Sequence, residues 1–304
     1  MIRDRFRRPL TSVRISVTRR CNLNCIYCHK EGIRESKSEM TPGEIERIIG
    51  ICTGFGIKKV KITGGEPLMR SDICKIVLGI SSIDGVEEVS MTSNGTMLAD
   101  YASCLKRSGL DRINISLDTL KPDVFSYITS GGELEQALAG VESAIDAGFR
   151  PVKLNVVVMR GINDNEIEEI MRRYSMDGVV VQLIELMETG NGFFKEHFFS
   201  LNEFEDILKK SAEEVTVRRF MQGRRKYYIN SGQVEVVRPM HNTEFGARCT
   251  RMRITPDGKF KPCLMRSDNH VDFLSSMRAG ATDLELRQLF KEALDNREPY
   301  FKKK

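Results

Sequence analysis

The chain has 304 residues, 47 basic and 42 acidic, for a net charge of +5, with 40% hydrophobic and 29% charged side chains. That balance excludes a disordered or membrane-embedded protein: the apolar content suffices for a core, and no run approaches the roughly 20 apolar residues that span a bilayer. Eight cysteines are too sparse for a disulfide scaffold, and their clustering speaks for ligands in a reducing, cytoplasmic compartment.

The N-terminus, MIRDRFRRPL, has charge but no apolar stretch behind it, so no secretory signal is expected. Its four arginines read as a solvated basic arm, too small a patch to argue for nucleic acid. SVRISVT (12–18) alternates as a strand. After a cysteine-rich loop, Thr41, Pro42 and Glu44 form a capping box with proline at the first helical position, and Gly54 and Gly56 end that helix. KKVKITGG reads as strand, SDICKIVLGISSI as helix, EEVSMTSNG as strand and LADYASCLKRSG as helix. RINISLD follows as strand, then helical KPDVFSYIT and ELEQALAGVESAIDAGF, strand PVKLNVVVM, helix NDNEIEEIMRRYS and strand VVVQLIELM. Six strands, each followed by helical sequence, predict a parallel sheet, open or curled into part of a barrel.

The rhythm breaks near residue 190. Beyond a helix at SLNEFEDILKK come short alternating runs, EEVTVRRF, RKYYIN and QVEVVR, separated by turn signals at Gln222-Gly223 and Ser231-Gly232. RMRITPDGKFKPC reads as a hairpin with Asp257-Gly258 at its tip. The tail is expected to form a small antiparallel unit carrying Cys249 and Cys263.

Ligands of parallel α/β folds sit at the carboxyl ends of the strands. There this chain carries the cysteine loop, TGGEPLMR, TSNG, SLD and ELMETGNG. Thiolates of Cys21, Cys25 and Cys28 are one ligand short of a closed tetrahedral site or a cuboidal iron–sulfur cluster, which leaves a position open to substrate or cofactor. A zinc site completed by His29 stays open as an alternative. Cys52, Cys74 and Cys104 fall on apolar helix faces and read as small core residues.

CNLNCIYC and GGEP, after consecutive strands, resemble the radical S-adenosylmethionine (SAM) superfamily. Within it the chain is similar to the GTP 3′,8-cyclase family nearly end to end, through KITGGEPLMR, TSNGTML, RINISLDTL, VKLNVVVMRGINDNE, ELME and CTRMRITPDGKFKPCL. The resemblance implies a partial (β/α)6 TIM-type barrel with a small C-terminal α+β cluster-binding domain, here divided as 5–222 and 223–304. It implies a 4Fe–4S cluster on Cys21, Cys25 and Cys28 that holds SAM, with Tyr27, Gly65, Ser116 and Met187 at SAM. It implies GTP on Arg14, Lys61, Thr92, Lys153, Arg251, Met252 and Arg253, with Arg253 assisting ring closure, and a second 4Fe–4S cluster on Cys249 and Cys263. The implied chemistry is reductive cleavage of SAM, hydrogen abstraction from C3′ of GTP and attack of C3′ on guanine C8. Implied partners are an electron donor such as a flavodoxin or ferredoxin and cyclic pyranopterin monophosphate synthase, with no membrane partner. A different radical SAM enzyme with an auxiliary-cluster tail is the alternative.

The chain departs from the family twice. The second cluster's first cysteine position is Gly246, and the end, PYFKKK, lacks a Gly-Gly pair. A non-cysteine ligand such as His241, a labile or absent cluster, or a divergent activity would each account for Gly246.

Overall fold

The strands of the first half share a pattern, SVRIS, KVKIT, RINIS, in which apolar and polar residues alternate. They are β1 (Ser12–Ser16), β2 (Lys59–Thr63) and β4 (Arg112–Ser116), set among β3 (Glu88–Ser93), β5 (Val152–Val158) and β6 (Val179–Glu185). The structure, a computed structural model, describes residues 2–33, 38–174, 176, 178–188, 192–218, 224–229, 232–239 and 246–299. The turn signals at Gln222, Gly223 and Ser231, together with His241 and residues 300–304, lie outside the described residues.

Six helices follow as expected: α1 (Pro42–Thr53), α2 (Ile73–Ser81), α3 (Leu98–Arg107), α4 (Pro122–Thr129), α5 (Leu134–Asp146) and α6 (Ile167–Arg173). The start of α1 is dictated locally, since Thr41 Oγ1 accepts from Glu44 N and the Glu44 carboxylate accepts from Thr41 N. The apolar alternates, Val13, Ile15, Val60, Ile62, Ile113 and Ile115, are buried in one continuous core with the helices. The polar alternates therefore face the other side.

β1 to β6 run parallel in chain order, with β10 (Arg251–Ile254) parallel beside β1 and β9 (Gly232–Val237) parallel beside β6. From β10 the sheet continues antiparallel into β11 (Lys259–Lys261) and β12 (Val271–Asp272), and from β9 into β8 (Arg225–Ile229) and β7 (Glu214–Val217). The hairpin turns at Asp257-Gly258, where Gly258 has φ +69°. The tail is thus not a separate antiparallel unit. Its strands extend both edges of one twelve-stranded sheet, where each parallel edge would otherwise leave backbone groups unpaired.

Arg224, at the start of β8, and Arg251 on β10 stand eight strand spacings apart in sheet order, about 38 Å if the sheet were flat at about 4.8 Å per strand. Yet the charge of Arg224 acts on Arg251. The sheet must curl until its ends face each other, a partial barrel with the polar alternates inside.

α7 (Phe193–His197) and the expected α8 (Asn202–Ser211) follow β6, and α9 (Leu274–Arg278) and α10 (Asp283–Asp295) end the chain. α10 docks on α1 through stacking of Phe55 on Phe290, with centroids 4.6 Å apart. Among the described residues no helix is long and apolar enough to cross a membrane.

Candidate active site

The loop after β1 carries Cys21, Cys25 and Cys28 and is strapped from two sides. On one side is the Gly-Gly-Glu-Pro turn after β2, where Gly65 N donates to Thr18 O and Glu66 N donates to Arg20 O, both at 2.8 Å. The approach is too close for any side chain: a β-carbon on Gly65 would stand 2.2 Å from Arg20 O and 2.6 Å from Arg19 O. On the other side, the end of α4 accepts from Asn24 N and Ile26 N through the carbonyls of Thr129 and Ile128.

Buried Glu66 ties the strap to the next strand end, accepting from Ser93 Oγ, Asn94 N and Leu68 N. Burial pushes its carboxyl up to about 7 against those hydrogen bonds. Asn94 in turn reaches Asn22 at 2.9 Å and lies 4.0 Å from the Cys21 sulfur. Tyr27 donates to buried Asp118, just past β4, at 2.6 Å, and Asp118 also accepts from Val157 N. Tyr27, in the loop that follows β1, and Gly65, Ser116 and Met187, at or just past the ends of β2, β4 and β6, all lie on the carboxyl side of the sheet.

The donor set fits an iron–sulfur cluster with one open iron. Three thiols share one loop, and burial, then the charges of Asp118, Cys28 and Cys21, push the Cys25 thiol up to about 12. A bound cation would reverse that penalty and favour the Cys25 thiolate. Among the described residues no three ligating side chains are already grouped around a single point.

Inside the curl stand the cations. Arg253, Arg14 and Lys61 share one register line across β10, β1 and β2, and Arg251 lies two residues before Arg253 on the same face. Burial, then Arg14, Arg251 and Lys153, pull the Lys61 ammonium well below the lysine range. Thr92 and Lys153 continue the lining, both paired in register with Asn114 on β4. Met252 does not belong with them, because it points to the opposite face and is fully buried in the apolar core. Any contact of Met252 with a ligand inside the curl is confined to its backbone.

Sequence reasoning missed two carboxylates here. Glu31 pairs with Arg14 at 3.2 Å. Burial would raise its carboxyl, but Arg14, His29, Arg253 and Arg251 outweigh burial and hold it down to about 2. Glu235 on β9 is fully buried against Lys153 at 2.8 Å, with Arg218 at 3.5 Å and Arg224 at 3.9 Å. The signal for the lining was legible as polar residues at every second strand position; the β9 pairing was not.

At the second cysteine site, the charges of Cys249 and Cys263 both act on Arg253, which places the pair at the β10 end of the cation lining. A three-cysteine cluster does not fit. Gly246 offers no thiolate, and a β-carbon there would stand 2.2 Å from Pro299 O. Guanidinium groups hold this turn instead. Fully buried Arg297 donates to Cys249 O at 2.6 Å and pairs with Asp4 at 3.0 Å, and Arg8 donates to Gly246 O at 2.8 Å and Glu298 O at 3.1 Å.

Two further expectations fail. The N-terminal arm is not wholly solvated, because Arg8 is buried against Asp4 at 2.8 Å while Arg3, Arg5 and Arg7 stay exposed. Cys52 is a buried core residue, but Cys74 of α2 and Cys104 of α3 are half-buried and face each other sulfur to sulfur between the two helices. Adjacent helices on neighbouring crossovers bring their outer faces together, a pairing that sequence separation hides. A groove of about 650 Å³ near Glu168, Arg172, Tyr174 and Val181 contains none of the site residues.

Residues 15–174 match the radical SAM superfamily and residues 179–303 match Molybdenum Cofactor Synthesis C. The chain is 48% identical to the probable GTP 3′,8-cyclase of Methanothermobacter marburgensis, over 99% of each chain. It is also 48% identical to the probable GTP 3′,8-cyclase of Thermococcus kodakarensis, over 99% of this chain and 100% of that one. The AdoMet-bound structure of anSMEcpe shares the fold, with a TM-score of 0.62 at 14% identity over 93% of this chain and 82% of that one. The chain belongs to the radical SAM superfamily and, within it, to the GTP 3′,8-cyclase family.

Proposed function

We propose that this chain converts GTP to (8S)-3′,8-cyclo-7,8-dihydroguanosine 5′-triphosphate, the first step of molybdopterin biosynthesis. The observation that carries the reading is one curled sheet with a three-cysteine loop at its carboxyl edge and buried cations lining its inside. When bound on Cys21, Cys25 and Cys28, a 4Fe–4S cluster with SAM supplies the reductive chemistry.

The chain's own residues do the positioning. Gly65 leaves room for the SAM amino group beside the strap, Tyr27 is held at its adenine by Asp118, and Ser116 and Met187 complete that wall. Arg14, Lys61, Thr92 and Lys153 hold the nucleotide, with Arg251 and Arg253 toward Cys249 and Cys263; planar guanidinium forks suit phosphate and base oxygens. In this reading the guanine lies near Arg253, which assists closure, and the triphosphate extends toward Lys153. The curled sheet excludes water from the reacting atoms. A second cluster, where carried, rests on Cys249 and Cys263 without a third cysteine, and the positioning described here needs nothing from it.

The same reading divides the chain into a radical SAM core (5–222) and a substrate-side domain (223–304). It assigns the protein to the cytoplasm, with a flavodoxin or ferredoxin as electron donor and cyclic pyranopterin monophosphate synthase as the next enzyme. Gly246 is the one observation favouring a second reading, a radical SAM enzyme with another substrate. Alanine variants separate the roles. Cys25→Ala is expected to abolish SAM cleavage, whereas Arg253→Ala is expected to keep uncoupled cleavage and lose the cyclised nucleotide. Cyclised product from Arg253→Ala would refute the nucleotide mapping.

A further inference from the structure

Just beyond Cys28 the chain takes a conformation that side chains disfavour. Among the described residues Lys30 (φ +47°) and Glu31 (φ +52°) are the one adjacent pair of non-glycine residues with positive φ, and Gly32 (φ +65°) follows them. Left-handed backbone is normally visited by single residues, not by runs, so the surroundings must hold this turn in place.

It is held at both ends. At the near end Lys30 N donates to Cys28 Sγ at 3.4 Å. At the far end Gly32 O accepts from Lys261 Nζ at 3.2 Å, and buried Lys261 also donates to Arg266 O, so this anchor belongs to the segment that carries Cys263. Gly32 lies so close to that segment that a β-carbon on it would meet Leu264 O at 2.4 Å.

Between these anchors the turn sends the Glu31 carboxylate inward to Arg14 at 3.2 Å, with Glu31 14% exposed and Arg14 21%. Arg14 Nε, buried beside it, has no hydrogen-bond partner among the described residues. One short turn thus touches Cys28, Arg14 and Lys261. Arg14 is among the cations that hold the nucleotide in the reading above, and a nucleotide anion competes with the Glu31 carboxylate for the same guanidinium. Because Lys261 clamps the Gly32 end, a carboxylate that lets go of Arg14 loosens the turn toward Cys28.

We propose that Glu31 is a positioning residue, a built-in counter-anion that holds Arg14 aimed into the curl until the nucleotide displaces it, and that the left-handed turn passes this displacement on to Cys28. This rests on the GTP reading above and adds to it a link between the nucleotide and the first cysteine loop. No covalent bond changes at Glu31; Arg14 exchanges one anion for another.

The test uses cluster-loaded protein with SAM under anaerobic conditions. GTP affinity is measured for the native chain, Glu31→Gln and Arg14→Gln, with melting curves to check each fold. Amide exchange of residues 29–33 is followed by mass spectrometry with and without GTP. Glu31→Gln is expected to bind GTP about tenfold more tightly, as removal of one competing charged partner implies; a merely structural role would weaken binding instead. In the native chain GTP is expected to speed exchange at residues 29–33, whereas in Glu31→Gln exchange is already fast and GTP adds nothing. The native comparison needs no variant and carries the test if Glu31→Gln melts early. Unchanged or weaker GTP binding by folded Glu31→Gln, or unchanged or slower exchange in the native turn with GTP, overturns the role of Glu31 alone, provided that Arg14→Gln weakens GTP binding. A native chain that does not bind GTP, or binds it as tightly as Arg14→Gln does, overturns the GTP reading and the role of Glu31 together.

Discussion

Gly246 lies so close beneath Pro299 that a β-carbon on it would meet the Pro299 carbonyl oxygen at 2.2 Å. The position at which the resemblance implies a third cysteine is therefore closed by this chain's own C-terminal segment, pinned by Arg8 and Arg297. Gly246→Cys is expected to cost about 1–3 kcal/mol of stability, as overpacking does, and to add no iron per chain on anaerobic reconstitution. Gly246→Ala should cost a similar amount, since the β-carbon causes the clash. Additional iron in Gly246→Cys with an unchanged melting temperature would show that the segment yields and the site can be completed.

Gly65 makes a comparable demand at the first site. Its substitution by alanine forces the Gly-Gly-Glu-Pro turn away from Arg19 and Arg20, because the added carbon would stand 2.2 Å from a backbone oxygen. SAM affinity, measured by equilibrium dialysis, is expected to fall by at least about tenfold, a displacement of a few kcal/mol. The cluster's absorbance should persist, since the three cysteines are untouched. Wild-type SAM affinity would mean the turn does not fix the cofactor.

Tyr27→Phe removes the one hydrogen bond that the Asp118 carboxylate accepts from a side chain among the described residues, leaving it buried with Val157 N as its remaining described donor. The loss should be about 1–3 kcal/mol, read from urea unfolding, together with weaker SAM binding. A variant as stable as the parent would show that Asp118 finds another donor.

Nucleotide affinity should depend on pH through Lys153. Burial lowers its ammonium to about 8, against an ordinary lysine value of 10.5, with Glu235 partly opposing and Arg218 and Arg224 adding to the fall. Between those values the unfolded chain holds a proton that the folded chain lacks, so the Lys153 contribution to stability rises with pH there. Triphosphate binding runs the other way, because the cation is lost above about 8. GTP affinity is therefore expected to weaken between pH 7 and 9, and Lys153→Gln should flatten the change. An unchanged slope in that variant would remove Lys153 from the site.

The carboxyl-edge motifs were legible because each is local: Cys21 to Cys28, Gly64 to Pro67 and Ser93 to Gly95 sit within a few residues of a strand end. The cation lining was half legible. Alternation alone sets Arg251 and Arg253 on one face and Met252 on the other, while the choice of inner face needed the helices packed over Val13 and Ile15. Glu235, Arg218 and Arg224 were hidden by long-range pairing, since nothing in residues 214–237 announces that β9 joins β6 in parallel. The buried arginines Arg8 and Arg297 were hidden for the same reason: beside Asp4 the two chain ends meet, Arg297 pairing with Asp4 and Arg8 reaching Gly246 O and Glu298 O.

The central claim meets its most direct test in one anaerobic turnover of the reconstituted chain with SAM, a strong reductant and GTP, analysed by mass. The account predicts 5′-deoxyadenosine together with an equal amount of 3′,8-cyclised nucleotide. Deoxyadenosine without cyclised GTP would contradict it, and would point to a radical SAM enzyme whose substrate lies elsewhere.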